Sequence, residues 1–321
     1  MMAFLARRWF LLILAGGVAL ALVRPEYFLN WTGRLDLRLL VGANLFLMAW
    51  TLPTRHLRRE LLQPWASLWA LVLSYGLLPA AALMIGQFLP PDYRIGILII
   101  AAVPCTLASA VLWTRMAGGN EATVLLVIFL STATSWLITT AWLALGTDTI
   151  LAEGELFQMM VLLLLTLVIP VGLGQLGRAV SELKRLADRY RIAISVIAQL
   201  LVLVVILKAA ADVGLKIHQG DTAVDPGPLL AAAVACIGLH LGTLAAGLFS
   251  GRWLGLERAR KIAVGFAASQ KTLPVALLLF EKYFRSDFPL AIMPLVLYHV
   301  SQLILDTFLA EWLYRRSGIP A

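Results

Sequence analysis

The stretch GFAASQKTLPVALLLF, residues 265–280, places Lys271 near the middle of an apolar run that extends from Ile262 to Phe280. Polar residues flank this lysine, and Pro274 follows three positions later. An ammonium at the centre of a membrane helix costs about 2.5 to 3.5 kcal/mol on insertion scales. An interrupted helix that lines a polar cavity explains the pattern, because broken backbone is tolerated at membrane depth only where it contacts protein or water.

The composition is that of a membrane protein. Of the 321 residues, 61% are hydrophobic and only 14% are charged, and the mean hydropathy is +0.88, whereas soluble chains are about half apolar and a quarter charged. A spanning helix needs about 20 residues. The sequence therefore predicts an all-α polytopic protein in the lipid bilayer with ten transmembrane helices, at residues 8–24, 37–54, 65–88, 94–117, 122–146, 156–177, 190–212, 227–250, 260–282 and 288–313.

Several function classes find no support in the residues. Cys105 and Cys236 both lie inside apolar runs, which excludes a disulfide framework and a CxxC metal site. The chain has no HExxH, Walker or GxSxG pattern, so we predict neither an enzyme nor a bound cofactor. The net charge of +8 does not indicate nucleic acid, because the basic residues lie in short loops between apolar segments.

The positions of those basic residues predict the orientation. With the N-terminus in the cytoplasm, seventeen of the 26 Lys and Arg residues lie on the cytoplasmic side and seven on the other, and Lys208 and Lys271 lie within spans. This favours a multi-pass protein of the plasma (inner) membrane with both termini cytoplasmic. As an alternative, Arg7, Arg8 and the ALA at 19–21 suit a signal peptide, whose removal would leave nine spans.

Ten spans divide into two sets of five, residues 1–150 and 151–321. An odd number per half predicts inverted repeats, the plan of many secondary transporters, in which corresponding helices are discontinuous. The fourth span, AAVPCTLASAVLWTRMAGGNE at 101–121, and the ninth both combine proline with a polar cluster. Each proline alone is compatible with a simple kink. Together they predict two crossed, discontinuous helices around a central site.

In such a site the N-termini of the half-helices attract an anion, and freed carbonyls can hold a cation. His240 and His299 lie near the middles of the eighth and tenth spans. Each is either a neutral ring bonded to a carbonyl or hydroxyl, or part of one cationic cavity with Lys271. The candidate substrate-binding residues are Pro104, Cys105, Thr106, Ser109, Ser269, Gln270, Lys271, Thr272, His240 and His299.

No carboxylate is expected at the depth of Lys271, since Glu121, Asp306 and Glu311 lie closer to span ends. Without an acidic partner, the lysine needs either an anionic substrate or a change of protonation state. We therefore hypothesise that Lys271 binds the acidic group of an organic anion while protonated and can return neutral, which would couple transport to a proton. Lys208, near the end of its span, can reach the interface and needs no such role.

Three segments resemble the bile acid:sodium symporter family (solute carrier family 10), in particular its divergent, symporter-like branch. SYGLLP at 74–79 is similar to the third-span pattern, and AGGNEA at 117–122 to the turn between the fourth and fifth helices. SQKTLP at 269–274 falls where the ninth-span signature belongs. The resemblance covers nearly the whole chain. It implies a core domain of spans 3, 4, 5, 8, 9 and 10, a panel domain of the other four, and substrate between them.

The resemblance also implies two sodium sites behind the crossover, but most of their ligands are replaced. The positions are occupied here by Ser74, Ser109 with Ala110, Val124 and Ile128, Gly265, and Ser269. Only Ser74, Ser109 and Ser269 keep an oxygen as residual sodium-site positions. Because hard cations need several oxygen ligands, sodium is not assured, and proton coupling or uniport stay open. The charge of Lys271 would then substitute for the metal ion.

Three functions remain open at this point. The first is a secondary transporter that moves a small organic anion by alternating access. The second is a cation/proton antiporter, which shares the repeat plan but needs a carboxylate in the cavity. The third is a membrane regulator whose cavity no longer cycles.

Overall fold

The computed structural model describes residue 13 and residues 16–53, 60–147, 152–219 and 225–316. Within these ranges every regular element is helical. A short helical segment covers residues 16–23. The helices that follow are α1 (Glu26–Thr32), α2 (Leu37–Thr51), α3 (Trp65–Gly86), α4 (Pro91–Ala102), α5 (Ser109–Met116), α6 (Glu121–Thr147), α7 (Glu153–Ala179), α8 (Ser181–Arg189), α9 (Arg191–His218), α10 (Pro226–Trp253), α11 (Arg258–Ser269), α12 (Leu273–Leu279) and α13 (Ile292–Arg315).

In the described part of the chain, seven helical segments are long and apolar enough to cross a membrane. They are α3, α6, α7, α9, α10, the stretch Arg258–Phe284 that contains α11 and α12, and Pro289–Arg315. The protein is therefore an all-helical, polytopic membrane protein. Ten spans and inverted repeats stay predictions.

The three other predicted spans look different. The one at 37–54 appears as α2, which has 15 residues, and the one at 94–117 is divided into α4 and α5. The segment at 8–24 is described at residue 13 and from residue 16 onward. Arg7 and Arg8 lie outside the described residues.

The chain packs as two compact units. The smaller comprises residues 1–51 and 170–225, and α9 packs there against α2 and α1. The larger comprises residues 52–169 and 226–321 and contains every candidate site residue. The first part of α7 belongs to the larger unit because Glu153–Leu163 packs along α6, whereas the resemblance assigns the whole sixth span to the panel. Each unit combines segments from both predicted halves. The division into repeats at 1–150 and 151–321 therefore stays a prediction.

The turn between α5 and α6 shows why AGGNEA has its composition. Gly118 has φ of +73°, a conformation that glycine adopts without strain at a helix end. Asn120 Oδ1 then accepts the backbone N–H of Ala122 at 2.9 Å, which caps the first turn of α6. The Asn120 N–H donates to the carbonyl oxygen of Ala259 at 2.9 Å. The turn thereby fixes the start of α6 beside the start of α11.

Candidate functional site

Two helices in the larger unit are interrupted, as the sequence predicts for the fourth and ninth spans. Helix α4 ends at Ala102, and α5 starts only at Ser109. Helix α11 ends at Ser269, and α12 starts at Leu273. The two interruptions meet, because the Thr272 N–H donates to the Pro104 carbonyl oxygen at 3.2 Å. The prediction that these segments are broken and lie together is therefore correct.

Lys271 lies at this meeting point with a fully buried side chain. Its Nζ donates to the carbonyl oxygens of Val103 and Ser74, both at 2.9 Å. It also lies 5.0 Å from the centroid of the Tyr75 ring, within cation–π range. Two charge-assisted hydrogen bonds and a ring face thus offset part of the desolvation cost of the ammonium. All of these contacts are to neutral groups.

The carbonyls that bind Lys271 are free for a structural reason. Val103 follows the last residue of α4 and is extended, with ψ of 160°, so its carbonyl leaves the helical ladder. Ser74 lies in a π-helical turn, Leu73–Leu77, within α3, where the normal hydrogen-bond register is disturbed. The Tyr75 carbonyl in the same turn accepts the Trp142 indole N–H at 2.6 Å. The ammonium therefore occupies a place where backbone oxygens need a donor.

Gln302 on α13 makes hydrogen bonds to both the N–H and the carbonyl of Lys271. Its Oε1 accepts the Lys271 N–H at 3.0 Å, and its Nε2 donates to the Lys271 carbonyl at 3.0 Å. Nε2 also donates to His299 Nδ1 at 2.8 Å. An orphaned backbone group costs about 1–3 kcal/mol when buried, so this amide is a main support of the interruption.

His299 contacts an amide nitrogen, that of Gln302, and not the carbonyl or hydroxyl considered from the sequence. The Gln302 N–H donates in this contact, so His299 Nδ1 is the acceptor and carries no proton there. His240 is placed differently, since it contacts a carboxylate and a carbonyl. Its Nε2 lies 2.8 Å from Asp306 Oδ1, and its Nδ1 lies 3.4 Å from the Ser269 carbonyl oxygen. The two histidines therefore do not share one environment.

Asp306 adds a buried carboxylate next to the interruption, although it does not contact Lys271. Its side chain is fully buried, and its Oδ2 accepts a hydrogen bond from Gln270 Nε2. Gln270 Oε1 in turn accepts from Ser109 Oγ at 2.5 Å. The sequence placed Asp306 closer to the span end than Lys271, and for that reason did not include it in the site. Asp306 is nine residues from the end of α13 at Arg315, but the long Gln270 side chain and the His240 ring extend to it.

The remaining candidates surround this chain of polar groups. The Cys105 N–H donates to Ser131 Oγ at 3.3 Å, and the Cys105 side chain is buried. Thr106 Oγ1 lies 3.3 Å from Ser109 Oγ, whose single O–H points to Gln270, and both residues are partly exposed. The Ser269 carbonyl accepts from the Tyr298 hydroxyl at 2.7 Å. All ten predicted substrate-binding residues thus lie at or next to the interruptions, and whether they bind a substrate remains a proposal.

The residual sodium-site positions are occupied by groups with other contacts. Ser269 Oγ donates to the Gly265 carbonyl at 3.0 Å within its own helix, and Ser109 Oγ donates to Gln270. The Ser74 hydroxyl oxygen is buried without a hydrogen-bond partner. Position 265, which the resemblance assigns to a glutamate, packs tightly. A Cβ there would lie 3.1 Å from the Leu244 carbonyl oxygen.

Sequence reasoning missed Gln302, Tyr298 and Asp306, although a signal for them exists. Gln302 and Asp306 are four residues apart, and His299 precedes Gln302 by three. Residues at these spacings share one face of a helix. A polar stripe on one face of an otherwise apolar span indicates that this face is turned toward protein. No comparable pattern marks Val103, because it contacts Lys271 through its backbone carbonyl.

Comparisons with known proteins agree with this architecture. Residues 8–315 match the SBF-like CPA transporter family. A probable sodium/metabolite cotransporter, BASS4, chloroplastic, from Oryza sativa subsp. indica, is 28% identical over 95% of this chain and 75% of its own length. The putative symporter YfeH of Escherichia coli is 25% identical over 76% of this chain and 74% of its own length.

A further relative, sodium/bile acid cotransporter 7 from Danio rerio, is 27% identical over 67% of this chain and 63% of its own length. The chain is thus a membrane protein of the secondary-transporter class. It belongs to the SBF-like CPA transporter family, among the bile acid:sodium symporter relatives that the sequence motifs resemble. Because these relatives are transporters, membership implies a carrier and not an enzyme.

Proposed function

We propose that this protein is a secondary transporter that moves a small organic anion across the membrane by alternating access. The observation that carries the proposal is the position of Lys271, whose buried ammonium bridges the carbonyls of Ser74 and Val103 where two interrupted helices meet. Alternating access requires two bodies, and the two compact units of the chain are suited to that role. We further propose ten spans in two inverted repeats, since the fourth and ninth segments are interrupted in the same way.

An anionic substrate fits the local charge. The Lys271 ammonium contacts two carbonyls and a ring face, all of them neutral. Helix α5 begins at Ser109, which contacts the neighbouring Gln270, and the N-terminal end of a helix carries partial positive charge. Thr106 and Ser109 are the partly exposed members of the candidate set, so we propose that they form the substrate-facing edge. Lys271 would then act on the anion mainly through its field.

Sodium is not part of the proposal. Only Ser74, Ser109 and Ser269 keep an oxygen at the positions that the resemblance assigns to sodium, and position 265 has little room for a side chain. We therefore do not propose these positions as metal ligands. The Lys271 ammonium binds backbone carbonyls much as a bound cation would, and we infer that it replaces the charge of a coupling sodium ion.

Cation/proton exchange is the second candidate. It needs a carboxylate in the cavity, and the buried Asp306 supplies one that the sequence analysis did not expect. This carboxylate is buried within the polar network at the crossover. However, both of its oxygens already accept N–H groups, from His240 and Gln270. These contacts already compensate part of its charge and use part of its acceptor capacity. We therefore place exchange second.

The decisive experiment is a thermal-shift screen of the purified protein against a panel of metabolites, with and without sodium and at two pH values. Ligands that stabilise the protein, together with labelled taurocholate and succinate, are then tested for uptake into proteoliposomes. Binding with uptake of an organic anion supports the proposal. Binding without uptake would favour a regulator, and ion exchange without an organic ligand would favour the antiporter.

The role of Lys271 is tested in the same assay. We expect Lys271→Gln to abolish uptake, and the exposed Lys282→Gln to leave it unchanged. Undiminished uptake by Lys271→Gln would refute an anion-binding charge at this position. The membrane itself is also a proposal, since the Oryza sativa relative is named as chloroplastic. We propose the inner (plasma) membrane with both termini cytoplasmic, which protease protection of terminal tags can test.

A further inference from the structure

The short helix α8, Ser181–Arg189, joins two membrane spans and lies outside the candidate site. Val180 links it to α7, and Tyr190 links it to α9. We propose that α8 lies in the plane of the membrane surface and binds the headgroups of anionic phospholipids. This inference goes beyond the transport function and does not depend on which solute the protein carries.

The connections of α8 place it at the membrane surface. The helices before and after it, α7 and α9, are both long and apolar enough to cross a membrane. The 9 residues of α8 cover only about 14 Å, which is less than half of the roughly 30 Å of hydrocarbon. Since α8 cannot cross, the end of α7 and the start of α9 lie on the same side of the membrane. Linked to each span by a single residue, α8 stays close to the points where both spans reach that surface.

One side of α8 is apolar and is not covered by protein. Leu183, Leu186 and Tyr190 follow one another at intervals of three and four residues, so they share one side of the helix. They are 42%, 45% and 47% exposed. Within α8, whose residues are all described, only Ala187 is buried. Tyrosine and leucine side chains exposed at the ends of two spans are suited to contact with acyl chains and the headgroup boundary.

The other sides of α8 are basic. Five basic and two acidic residues lie between positions 178 and 191, which gives this segment a net charge of +3. Lys184, Arg185 and Arg189 project from the sides of α8 away from Leu183 and Leu186, because successive helical residues are about 100° apart. An apolar side combined with Lys and Arg on the polar side is the pattern of helices that lie in the membrane surface and attract anionic lipids.

The two acidic residues of the segment already have basic partners. Arg178 Nη2 lies 2.8 Å from Asp188 Oδ1, and Arg185 Nη2 lies 3.3 Å from Glu182 Oε1. The second pair is exposed on both sides, so it contributes little to stability and can be exchanged for a headgroup phosphate. The surplus positive charge of the segment therefore has to be balanced by anions from outside it.

Buried contacts hold α8 in a fixed orientation. Ala187 is fully buried, and α8 packs against α2. The buried Arg178, which binds Asp188 of α8, also donates to the Trp50 carbonyl oxygen of α2 at 2.9 Å. Because the helix is already ordered and attached, lipid binding does not first require it to fold.

An anionic phospholipid matches both sides of α8 at once. Its acyl chains can cover the apolar side, and its phosphate accepts hydrogen bonds from guanidinium groups in a favourable geometry. A free phosphate ion would use the charges alone and leave Leu183 and Leu186 uncovered. With both termini cytoplasmic, as proposed above, α8 faces the cytoplasmic leaflet, whose anionic lipids attract basic segments.

Spin labelling tests the position of α8. A nitroxide is attached to Leu186→Cys or to Arg185→Cys in full-length protein that also carries Cys105→Ala and Cys236→Ala, in nanodiscs of phosphatidylcholine and phosphatidylglycerol. Its accessibility to oxygen and to a water-soluble nickel complex is then measured. We expect the label at 186 to be accessible to oxygen and shielded from nickel, and the label at 185 to show the reverse. Two labels of the same accessibility would overturn the placement in the membrane surface.

Thermal unfolding tests the binding of headgroups. Phosphatidylglycerol, phosphatidylcholine with the same acyl chains, or inorganic phosphate is added to the purified protein in a neutral detergent. We expect phosphatidylglycerol alone to raise the Tm of the wild type, because a ligand that binds the folded state stabilises it. The effect should weaken at high salt.

Two triple variants locate the binding. Combined Lys184→Gln, Arg185→Gln and Arg189→Gln should require about 100-fold more phosphatidylglycerol for half of the Tm rise, since each basic residue near the surface contributes roughly a factor of five. The matched control removes the same charge from the exposed ends of α10 and α13 and should respond like the wild type. Its substitutions are Arg252→Gln, Arg315→Gln and Arg316→Gln.

Three results would overturn the headgroup site. The first is a wild-type Tm that phosphatidylglycerol raises no more than phosphatidylcholine does, whatever the variants show. The second is an equal rise with inorganic phosphate, which would indicate a soluble anion. The third is an equal loss in both triple variants, which would indicate a general attraction to basic loops. None of these measurements involves transport, so each of them leaves the proposed function standing.

Discussion

The Thr272 N–H donates to the Pro104 carbonyl oxygen at 3.2 Å, so the two interrupted helices of the larger unit are joined through their own backbones. Neither group has a partner within its own helix: the Thr272 N–H precedes the first residue of α12, and the Pro104 carbonyl lies between α4 and α5. The contact is supported by two side chains, Lys271 from the break itself and Gln302 from α13. Their removal gives predictions that do not depend on knowing the substrate.

Replacing Lys271 with methionine should destabilise the protein. The change leaves the carbonyls of Ser74 and Val103 buried without their donor, at about 1–3 kcal/mol for each unsatisfied group. Relief of the ammonium's desolvation cost offsets part of this. We expect the free energy of unfolding to fall by roughly 1–4 kcal/mol, measured as a lower Tm by tryptophan fluorescence in detergent. The exposed Lys282→Met should change Tm little, and equal Tm values for both variants would contradict the assignment.

Gln302 should be more important for stability than its neighbour. Gln302→Leu removes both hydrogen bonds to the Lys271 backbone, and we expect a loss of about 2–4 kcal/mol. Ser301 is the matched control, because its hydroxyl donates only within α13, to the Leu297 carbonyl. Ser301→Ala should stay within about 0.5 kcal/mol of wild type. Thermal unfolding of wild type and both variants in one detergent is the measurement. An unchanged Tm for Gln302→Leu would contradict the stabilising role of these two hydrogen bonds.

The approach of α10 to α11 predicts a third difference. A Cβ on Gly247 would lie 2.7 Å from the Gly265 Cα, whereas a Cβ on Gly238 meets nothing within 4 Å. Overpacking of this kind costs about 1–3 kcal/mol, and alanine in an open helical position gains about 0.5–1 kcal/mol over glycine. Gly247→Ala should therefore lower Tm and Gly238→Ala should not. Identical shifts for the two would show that the helices are not in close contact.

Removal of sodium should not affect the protein. A site filled to ten times its Kd stabilises the folded state by about 1.4 kcal/mol, which a thermal shift detects. We expect the same Tm in sodium chloride and in choline chloride of equal ionic strength. A sodium-specific rise in Tm would show that an ion site has survived the loss of the family's ligands.

The sequence predicted the outline of this molecule because lipid imposes simple rules on it. Long apolar runs, the prolines at 104 and 274 and the central Lys271 were sufficient to predict a helical membrane protein with two interrupted segments that meet. The partners of Lys271 could not be predicted from the sequence, since they are backbone carbonyls. These carbonyls lack helical partners because of a π-helical turn in α3 and the extended backbone at Val103.

Asp306 shows a different limit of sequence reasoning. Depth along a helix axis can be counted from the residues, but the length and direction of the neighbouring side chains cannot. Gln270 and His240 both extend to this carboxylate, and only the packing of α10 and α13 reveals it. The pattern of His299, Gln302 and Asp306 on one helical face is the part that periodicity alone could have supplied.

The contact between Gly247 and Gly265 also bears on how such a carrier changes its driving ion. A Cβ at position 265 would lie 3.1 Å from the Leu244 carbonyl oxygen and from the Leu248 side chain, so a glutamate there would require α10 to shift by a few tenths of an ångström. Building a sodium ligand at this position would therefore also call for a smaller side chain at Leu248. An engineer would have to change the ligand and its neighbour together.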